Sequence, residues 1–492
     1  MGIEIEDKFD VPEEYAVPDL SGLADVVGPK SYQLVALYYD TPDLRLASRG
    51  VTLRRRRGGS DPGWHLKLPK AKGVRQEITH PLTRSTKVVP LELAELVRAY
   101  TRGAELQQVA ELDTRRSITV LRDGETGLVE VADDRVKGTV YGAEPKVVRW
   151  REVEAELLEG GTKSLLTKVG KRLRKAGASP SEAASKLAKL LEPAPLPTAP
   201  TIPGTAGETV VAYLASQVQA LLSQDPRVRR AEEDAVHQMR VASRRLRSAL
   251  KAFRTVVLDT DQVQDELRWL GTVLGEARDL EVIRARFAKE LATLAPELVT
   301  GPIQTRLGSD LHKREQDAYE SIKETLSGDR YYLLLNALDE LVSTPVLGKA
   351  AAKPAQEKLR DIAGVSWGRV TKAYDLAQTI DDLERSELAM HDVRKAAKRA
   401  RYTAEALQPT IGADMGTLAK LAAGIQEVLG TYQDGVVAQE LLAKEAESAR
   451  QAGEDTFTYG LLIGIERNAA DRAHAEFPRV WKETVKAVTK VL

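Results

Sequence analysis

Glu4, Glu6 and Lys8 alternate within the segment Glu-Ile-Glu-Asp-Lys at the start of the chain. In a β-strand the side-chain period is two, so all three project from one face, each about 7 Å from the next. Two carboxylates and an ammonium on a single strand face would be costly in an apolar core, where unpaired charge is not tolerated. They suit a polar cavity that holds cations and anions together. Five further short segments repeat the pattern. Arg54 and Arg56 share a face, with Leu53 on the other; Lys67 lies opposite Trp64, Leu66 and Leu68; Arg75 and Glu77 share a face, with Ile78 opposite. Glu130 and Asp134 share one across Val131, and Glu152, Glu154 and Glu156 share one while Val153, Ala155 and Leu157 take the other. One such strand could be solvated sheet surface. Six in succession predict a shared charged interior.

The elements that must position these residues are short and alternating. Val51–Arg56, Trp64–Leu68, Ser117–Arg122, Gly127–Asp133 and Arg151–Leu158 read as strands between Gly, Pro and Asp turns. A helical pattern covers Lys163–Ala176, with Gly177 as its stop. Hard divalent cations such as Mg²⁺ take carboxylate and phosphate oxygens, while Arg and Lys neutralise the remaining phosphate charge. Phosphoryl chemistry then needs positioning and charge stabilisation rather than a covalent nucleophile. None is evident: the chain has no cysteine, no Gly-x-Ser-x-Gly elbow and no P-loop lysine motif.

The chain has 492 residues, enough for two or three domains with sizeable cores. Lys plus Arg equals Asp plus Glu at 72 each, so any preference for a partner must come from local segregation of charge. The absence of cysteine excludes disulfides and thiolate metal sites and fits a reducing compartment. The N-terminus is charged within four residues and no apolar run could span a bilayer, so a cytoplasmic location is expected.

Composition changes sharply once. Residues 193–203 hold Pro193, Pro195, Pro197, Pro200 and Pro203, which favour an extended, semi-rigid spacer. The expected organisation is a mainly β domain over residues 1–192, a linker over 193–204 and a helical domain over 205–492. The helical half contains a repeat. HQMRVASRRLRSAL begins at His237 and HDVRKAAKRARYTAE at His391, with basic residues at matching offsets: Arg240 and Arg394, Arg244 and Lys398, Arg247 and Arg401. Leu274-Gly275 with Asp279 matches Leu429-Gly430 with Asp434. The histidines stand 154 positions apart and the glycines 155, which predicts two related bundles over about 205–345 and 355–492. Offsets 0, 3, 7 and 10 fall within about 80° of a helix, so His237, Arg240, Arg244 and Arg247 form one basic stripe and His391, Arg394, Lys398 and Arg401 another. The ordinary alternative is a solvated face paired with acids from adjacent helices.

The first half resembles the CYTH domain, the triphosphate tunnel metalloenzymes. The resemblance rests on Glu4-x-Glu6-x-Lys8, Tyr39-Asp40-Thr41-Pro42, Leu53-Arg54-Arg55-Arg56, Trp64 through Lys67, Arg75-x-Glu77, Glu130 through Asp134 and Glu152-x-Glu154-x-Glu156. It implies an eight-stranded antiparallel tunnel that cleaves triphosphate compounds with Mg²⁺ or Mn²⁺. By the same resemblance Glu4, Glu6, Glu154 and Glu156 hold metal and orient water. Lys8, Arg54, Arg56, Lys67 and Arg75 grip phosphates, Glu77, Glu130 and Asp134 support them, and Lys186 closes one end. Family usage points to Arg116 as a further phosphate ligand, whereas alternation with Ile118 and Val120 outward would put Arg115 inside; both stand open here.

The helical half resembles the CHAD domain, the conserved-histidine α-helical domain. That resemblance implies an all-α domain of two pseudo-symmetric four-helix bundles whose basic surface, including His237, Arg240, Arg244, Arg247, His391, Arg394, Lys398 and Arg401, binds inorganic polyphosphate. The expected whole is an α+β multidomain hydrolase of inorganic triphosphate, tethered to polyphosphate or its granules. Rival expectations are thiamine triphosphatase or adenylyl cyclase activity in the same tunnel, a non-catalytic polyphosphate scaffold, and nucleic-acid binding by the basic helices. No membrane partner is expected.

Overall fold

The computed structural model describes residues 2–492 apart from Lys72, Gly73, Ala143, Glu144, Ala184, Ala194 and Pro195, with only the backbone of Gly2, Ile3, Leu383 and Glu384. The linker proline Pro195 therefore lies outside the described residues. The chain divides into two compact units, Met1–Leu196 and Pro197–Leu492.

The first unit is a closed antiparallel barrel. Its strands are β1 (Gly2–Asp10), β2 (Asp25–Asp40), β3 (Thr52–Arg57), β4 (Gly63–Ala71), β5 (Val74–His80), β6 (Gln107–Asp123), β7 (Thr126–Val140) and β8 (Lys146–Leu157). They run in the order β5-β4-β3-β2-β6-β7-β8-β1, and β1 returns to pair with β5. A two-residue strand, β9 (Ser179–Pro180), adds to the outer part of β1. Closure depends on β1 serving two neighbours. Its first half pairs with β5, Glu4 opposite Arg75, and its second half pairs with β8, Glu6 opposite Glu156 and Lys8 opposite Glu154.

The apolar faces of the strands look outward and are covered. Phe9, Leu121, Val129, Val131, Val153 and Ala155 pack against Leu166, Val169 and Leu173 of a helix over Lys163–Lys175. That helix follows two short ones, α1 (Leu91–Leu96) and α2 (Arg98–Thr101), and is α3; its N-terminus is capped by Thr162, whose hydroxyl accepts from the Leu165 N–H. Burying each Leu or Val of this layer contributes about 1.5–3 kcal/mol, so the barrel's hydrophobic core lies outside it. The last helix, α4 (Lys186–Leu191), is capped by Ser185 and sets Leu187 and Leu190 against Ala110, Leu112 and Val136. Its first residue, Lys186, is thereby aimed into the barrel.

The second unit is all helical: α5 (Ala206–Arg229), α6 (Ala235–Ala252), α7 (Asp261–Leu291), α8 (Leu311–Leu326), α9 (Asp329–Ser343), α10 (Ala355–Ala377), α11 (Leu383–Ile411), α12 (Ala413–Gln451) and α13 (Phe457–Val488). The repeated motifs fall on α6 and α11 and on α7 and α12, the second and third helices of two runs, α5–α8 and α10–α13, in which successive helices pack on one another; α9 follows the first run. The chain breaks between Ser343 and Ala355, and Pro354 is the residue before α10. Within this unit α6 and α11, the two basic helices, pack on each other. Arg245 reaches Glu405 at 2.9 Å, and Arg244 Nε donates to the Tyr402 hydroxyl at 2.8 Å. Phe287, Leu307 and Leu311 share one apolar cluster with Ala438, Leu442, Tyr459 and Leu462, so the repeats have a common core. No helix among the described residues is long and apolar enough to cross a membrane.

Candidate active site in the barrel and basic cleft in the helical unit

The inward faces of the strands surround a cavity of about 220 Å³. Its walls include Glu4, Glu6 and Lys8 from β1, Arg54 and Arg56 from β3, Lys67 from β4, Arg75 and Glu77 from β5, Arg116 from β6, Glu130 from β7, Glu154 and Glu156 from β8, and Lys186 from α4. Asp134 lies just behind this wall, fully buried. Adding Asp61, the described lining holds seven cations and seven carboxylates. That balance fits neither a simple anion trap nor a simple metal trap; it fits an anion and a cation held together. The volume is below the roughly 300–1,000 Å³ typical of drug-sized ligands, which favours something compact and polar.

The charges are arranged in two groups. Around β7, β8 and α4, the oxygens of Asp134, Glu152 and Glu154 lie within 4.8 Å of one another, close enough to share a metal ion. The ammonium of Lys186 reaches all three, at 3.1, 2.7 and 2.6 Å. Arg116 forms a bidentate pair with Asp134 at 2.8 and 2.6 Å and also donates to Glu154 at 2.7 Å, while Lys8 bridges Glu6 at 3.0 Å and Glu154. Burial alone would raise the Glu154 carboxyl, but Lys186, Lys8 and Arg116 outweigh it and hold it well below the usual carboxylate range. Burial would likewise lower Lys186, and its carboxylate neighbours instead raise it, so it stays charged.

The second group is β1, β5 and the end of β8. Lys67 Nζ sits 2.5 Å from Glu4, and Arg75 lies 3.8 Å from Glu6. Glu156 is crowded by its own kind: burial first, then Glu4, Glu6 and Glu130, push its carboxyl up to about 7 against the pull of Lys67. Burial and the nearby Asp134 and Glu154 also raise Glu130, opposed by Arg116. A divalent cation would relieve this like-charge crowding, but among the described residues only Asp134, Glu152 and Glu154 bring three carboxylate oxygens within 4.8 Å of one another; Glu4, Glu6 and Glu156 do not form such a group with Glu154. In the same group, burial would raise Glu77, but a 3.0 Å hydrogen bond with His65 together with Lys67 and Arg54 takes it down to about 2. Burial first, then Arg54 and Arg116, push Arg56 down to about 10. Three guanidinium groups that repel one another here form a patch poised for an anion.

Arg116 faces the cavity and Arg115 is exposed on the outer wall. No bulge is needed: β6 pairs with β7 in unbroken register from Ala110 to Leu121, and Ile118, expected outward, lines the cavity with Arg116. An apolar residue near the rim breaks the simple charge-in, apolar-out rule. Glu152, Asp61 and His65 are partners that the sequence did not single out as site residues. Glu152 carried a signal, since it opens the Glu-x-Glu-x-Glu run. His65 is buried and holds Glu77, which makes it a positioning residue. Tyr32 and Tyr38 also line the cavity.

In the helical unit, Arg240, Arg244 and Arg247 of α6 and Lys398 of α11 line one cleft, joined by Arg268 of α7. The repeated Leu-Gly and Asp motif has a mechanical explanation. A Cβ on Gly275 would lie 3.3 Å from the Arg240 guanidinium, and one on Gly430 would lie 3.4 Å from that of Arg394. The bare helix backbone lets each arginine lie flat, and the aspartate one turn on takes it: Arg240–Asp279 at 2.8 Å and Arg394–Asp434 at 3.6 Å. The stripes are therefore partly paired, as Arg401 is with Glu405 at 2.7 Å. His237 is half-buried near Arg278 and Arg244, and burial followed by Arg278 lowers its pKa. His391 bonds Gln433 at 3.2 Å beside a different cavity, whose described wall carries Asp382, Glu387 and Glu440 and one arginine, Arg385. The structure thus gathers four of the eight basic-stripe residues, Arg240, Arg244, Arg247 and Lys398, into one cleft, and separates His391 from them.

Comparison with known proteins divides the chain at the same place. The CYTH domain matches residues 2–191 and the CHAD domain residues 212–443. A protein described as uncharacterized from Mycobacterium tuberculosis, found in two strains, is 40% identical over 512 residues, covering 99% of this chain and 97% of its own. Among solved structures, PptA from Streptomyces chartreusis is similar over 56% of this chain and 99% of its own, with 21% identity and a TM-score of 0.47. The CHAD domain from the plant Ricinus communis is similar over 60% of this chain and 94% of its own, with 25% identity and a TM-score of 0.43.

Proposed function

This chain belongs to the CYTH and CHAD families, a CYTH barrel followed by a CHAD helical unit, and from that premise we propose that the barrel hydrolyses inorganic triphosphate with Mg²⁺ or Mn²⁺ while the helical unit binds inorganic polyphosphate. CYTH members are triphosphate tunnel metalloenzymes, so a triphosphate compound and a metal are the coarse expectation for this cavity. The single observation that carries the finer reading is the mixed wall: seven guanidinium and ammonium groups interleaved with seven carboxylates around a cavity of about 220 Å³.

Glu4, Glu6, Glu154 and Glu156 are the residues that would hold the metal, with the buried Asp134, Glu152 and Glu154 cluster supporting them from behind. The metal would supply charge stabilisation on phosphate oxygens and a more acidic bound water. The chain itself supplies the rest. Arg54, Arg56, Lys67, Arg75 and Arg116 would bind and orient the phosphates, and Lys8 and Lys186 would hold Glu154 ionised. Glu77 is kept ionised and fixed by His65, and it restrains Lys67 and Arg54 between substrates. Without metal, burial and the neighbouring carboxylates push Glu156 up to about 7, and a bound cation would favour its ionised form.

A second reading, a triphosphate carrying an organic group such as thiamine triphosphate or ATP, is favoured by Tyr32 and Tyr38, which offer ring faces at the cavity wall. The discriminating experiment is a panel of tripolyphosphate, thiamine triphosphate, ATP and long-chain polyphosphate, each with Mg²⁺ and with Mn²⁺. Fastest metal-dependent turnover of tripolyphosphate is expected; preference for an organic triphosphate would replace the first reading with the second.

For the helical unit, a flexible polyanion without bases to read needs only spaced cations, which the cleft of Arg240, Arg244, Arg247, Arg268 and Lys398 offers. Its affinity should fall steeply with salt, as counterion release requires.

A further inference from the structure

Lys398 stands apart from the other lysines of the helical unit. It projects from α11 into the cleft lined by Arg240, Arg244 and Arg247 of α6 and Arg268 of α7. The charged groups that act on it are Arg244, Arg394, Arg240 and, opposing them, Asp434. It is an amine on the wall of a cleft of about 530 Å³, among guanidinium groups of the kind that pair with phosphate.

We propose that Lys398 is a self-acylating residue, modified by small acyl phosphates whose phosphate group the neighbouring arginines hold. The nitrogen lone pair attacks the acyl carbonyl carbon, a C–N bond forms, and the C–O bond to phosphorus breaks. Inorganic phosphate leaves with the electron pair and accepts the proton that the nitrogen gives up. The product is a neutral amide and one fewer cation in the cleft.

Two conditions make the reaction selective. The first is proximity: the arginines hold the leaving group beside the nucleophile, turning an encounter into a local reaction. The second is protonation state. Burial first, then Arg244, Arg394 and Arg240, push Lys398 down to about 8. At pH 7.5 about a quarter of such a group is unprotonated, against roughly one part in 800 for an ordinary lysine, and the weaker nucleophilicity of a less basic amine takes back part of that gain. The advantage over surface lysines therefore comes chiefly from the phosphate held beside the amine in the arginine-lined cleft. The loss of a cation would also weaken polyphosphate binding; that consequence rests on the proposed function of the helical unit, whereas the amine chemistry does not.

The test incubates the full chain with acetyl phosphate at pH 7.5 and follows acetylation site by site by peptide mass spectrometry. Lys420 and Lys482, both exposed, serve as internal references. Lys398 should acetylate several-fold faster than either. Excess inorganic phosphate should slow Lys398 and leave the references unchanged, and p-nitrophenyl acetate, which lacks a phosphate, should label Lys398 with no sensitivity to added phosphate. Arg247→Gln should slow Lys398 several-fold without affecting Lys420. Equal rates at Lys398 and Lys420, or a Lys398 rate indifferent to phosphate competition, would overturn the proposal. Retention of the unmodified protein on immobilised polyphosphate is measured separately, so its failure would sink the polyphosphate reading while the acetylation result stood on its own.

Discussion

Replacing Lys186 with Gln would remove the one ammonium that touches all three carboxylates of the buried acidic cluster. Its contacts with Glu154, Glu152 and Asp134 measure 2.6, 2.7 and 3.1 Å. Arg116 would still hold Asp134 and Glu154, but among the described residues Glu152 would keep only the Trp150 indole N–H, at 2.5 Å, as a donor. Removing one partner of a buried ion pair costs about 3–5 kcal/mol, and with Arg116 retained the lower figure, about 3 kcal/mol, is expected. Urea unfolding of the barrel should show that loss at pH 8. It should shrink at pH 5, because carboxylates without a cation are protonated more readily and protonation removes the unpaired charge. Mn²⁺ should restore part of the stability, since three oxygens within 4.8 Å can then share the ion that Lys186 displaces. A loss below about 1 kcal/mol, equal at both pH values and untouched by Mn²⁺, would refute the idea that Lys186 acts as a tethered cation in this cluster.

Three further outcomes follow from named contacts. Glu156 titrates near 7 in the folded barrel against about 4.5 unfolded, so its contribution to stability is present below pH 4.5 and is lost as pH rises through 7; metal-free protein should lose about 2.5 kcal/mol between pH 5 and pH 8 that Glu156→Gln does not, and parallel pH profiles would contradict the crowding. Gly275→Leu should push Arg240 off its seat on α7 and weaken polyphosphate retention several-fold, whereas Gly271→Ala, with open space around its Cβ, should leave retention unchanged; equal effects would refute the seating role of Gly275. Replacing Arg240 and Arg244 together with Gln should reduce the slope of log affinity against log salt by about 1.4, and an unaltered slope would remove the cleft from the binding surface.

How much of this was legible in the sequence depended on what set each residue's direction. The charged strand faces were legible because period-two alternation is enforced by the backbone, and Glu4, Glu6, Lys8, Arg54, Arg56, Lys67, Arg75, Glu77 and Glu130 all face the cavity. The orientation of β6 was not, because Ile118 points inward with Arg116 and the hydrophobic pattern gave the wrong phase. The same strand runs to 17 residues, far beyond the alternating segment read as Ser117–Arg122, since its outer part is paired on both sides by β2 and β7 rather than marked by composition. Lys186 entered through the resemblance, yet its partners depend on α4 folding back to set Leu187 and Leu190 on the barrel end, a tertiary event that no local pattern announces. In the helical unit the repeat was visible as matching offsets, but offsets cannot say which stripe residues meet. Lys398 joins the cleft of the first repeat because α11 packs on α6, and His391 lies beside a cavity whose wall is acidic.

On the proposed function, the charged interior of the barrel works on a triphosphate only with a metal held by its carboxylates. Phosphate release from tripolyphosphate, measured with and without Mg²⁺ or Mn²⁺ for the natural chain and for the Glu4→Gln, Glu6→Gln double variant, tests it most directly. Metal-dependent release by the natural chain and its loss, by at least about a hundredfold, in a folded double variant is the predicted result. Equal release by both, or release that ignores the metal, would contradict the account.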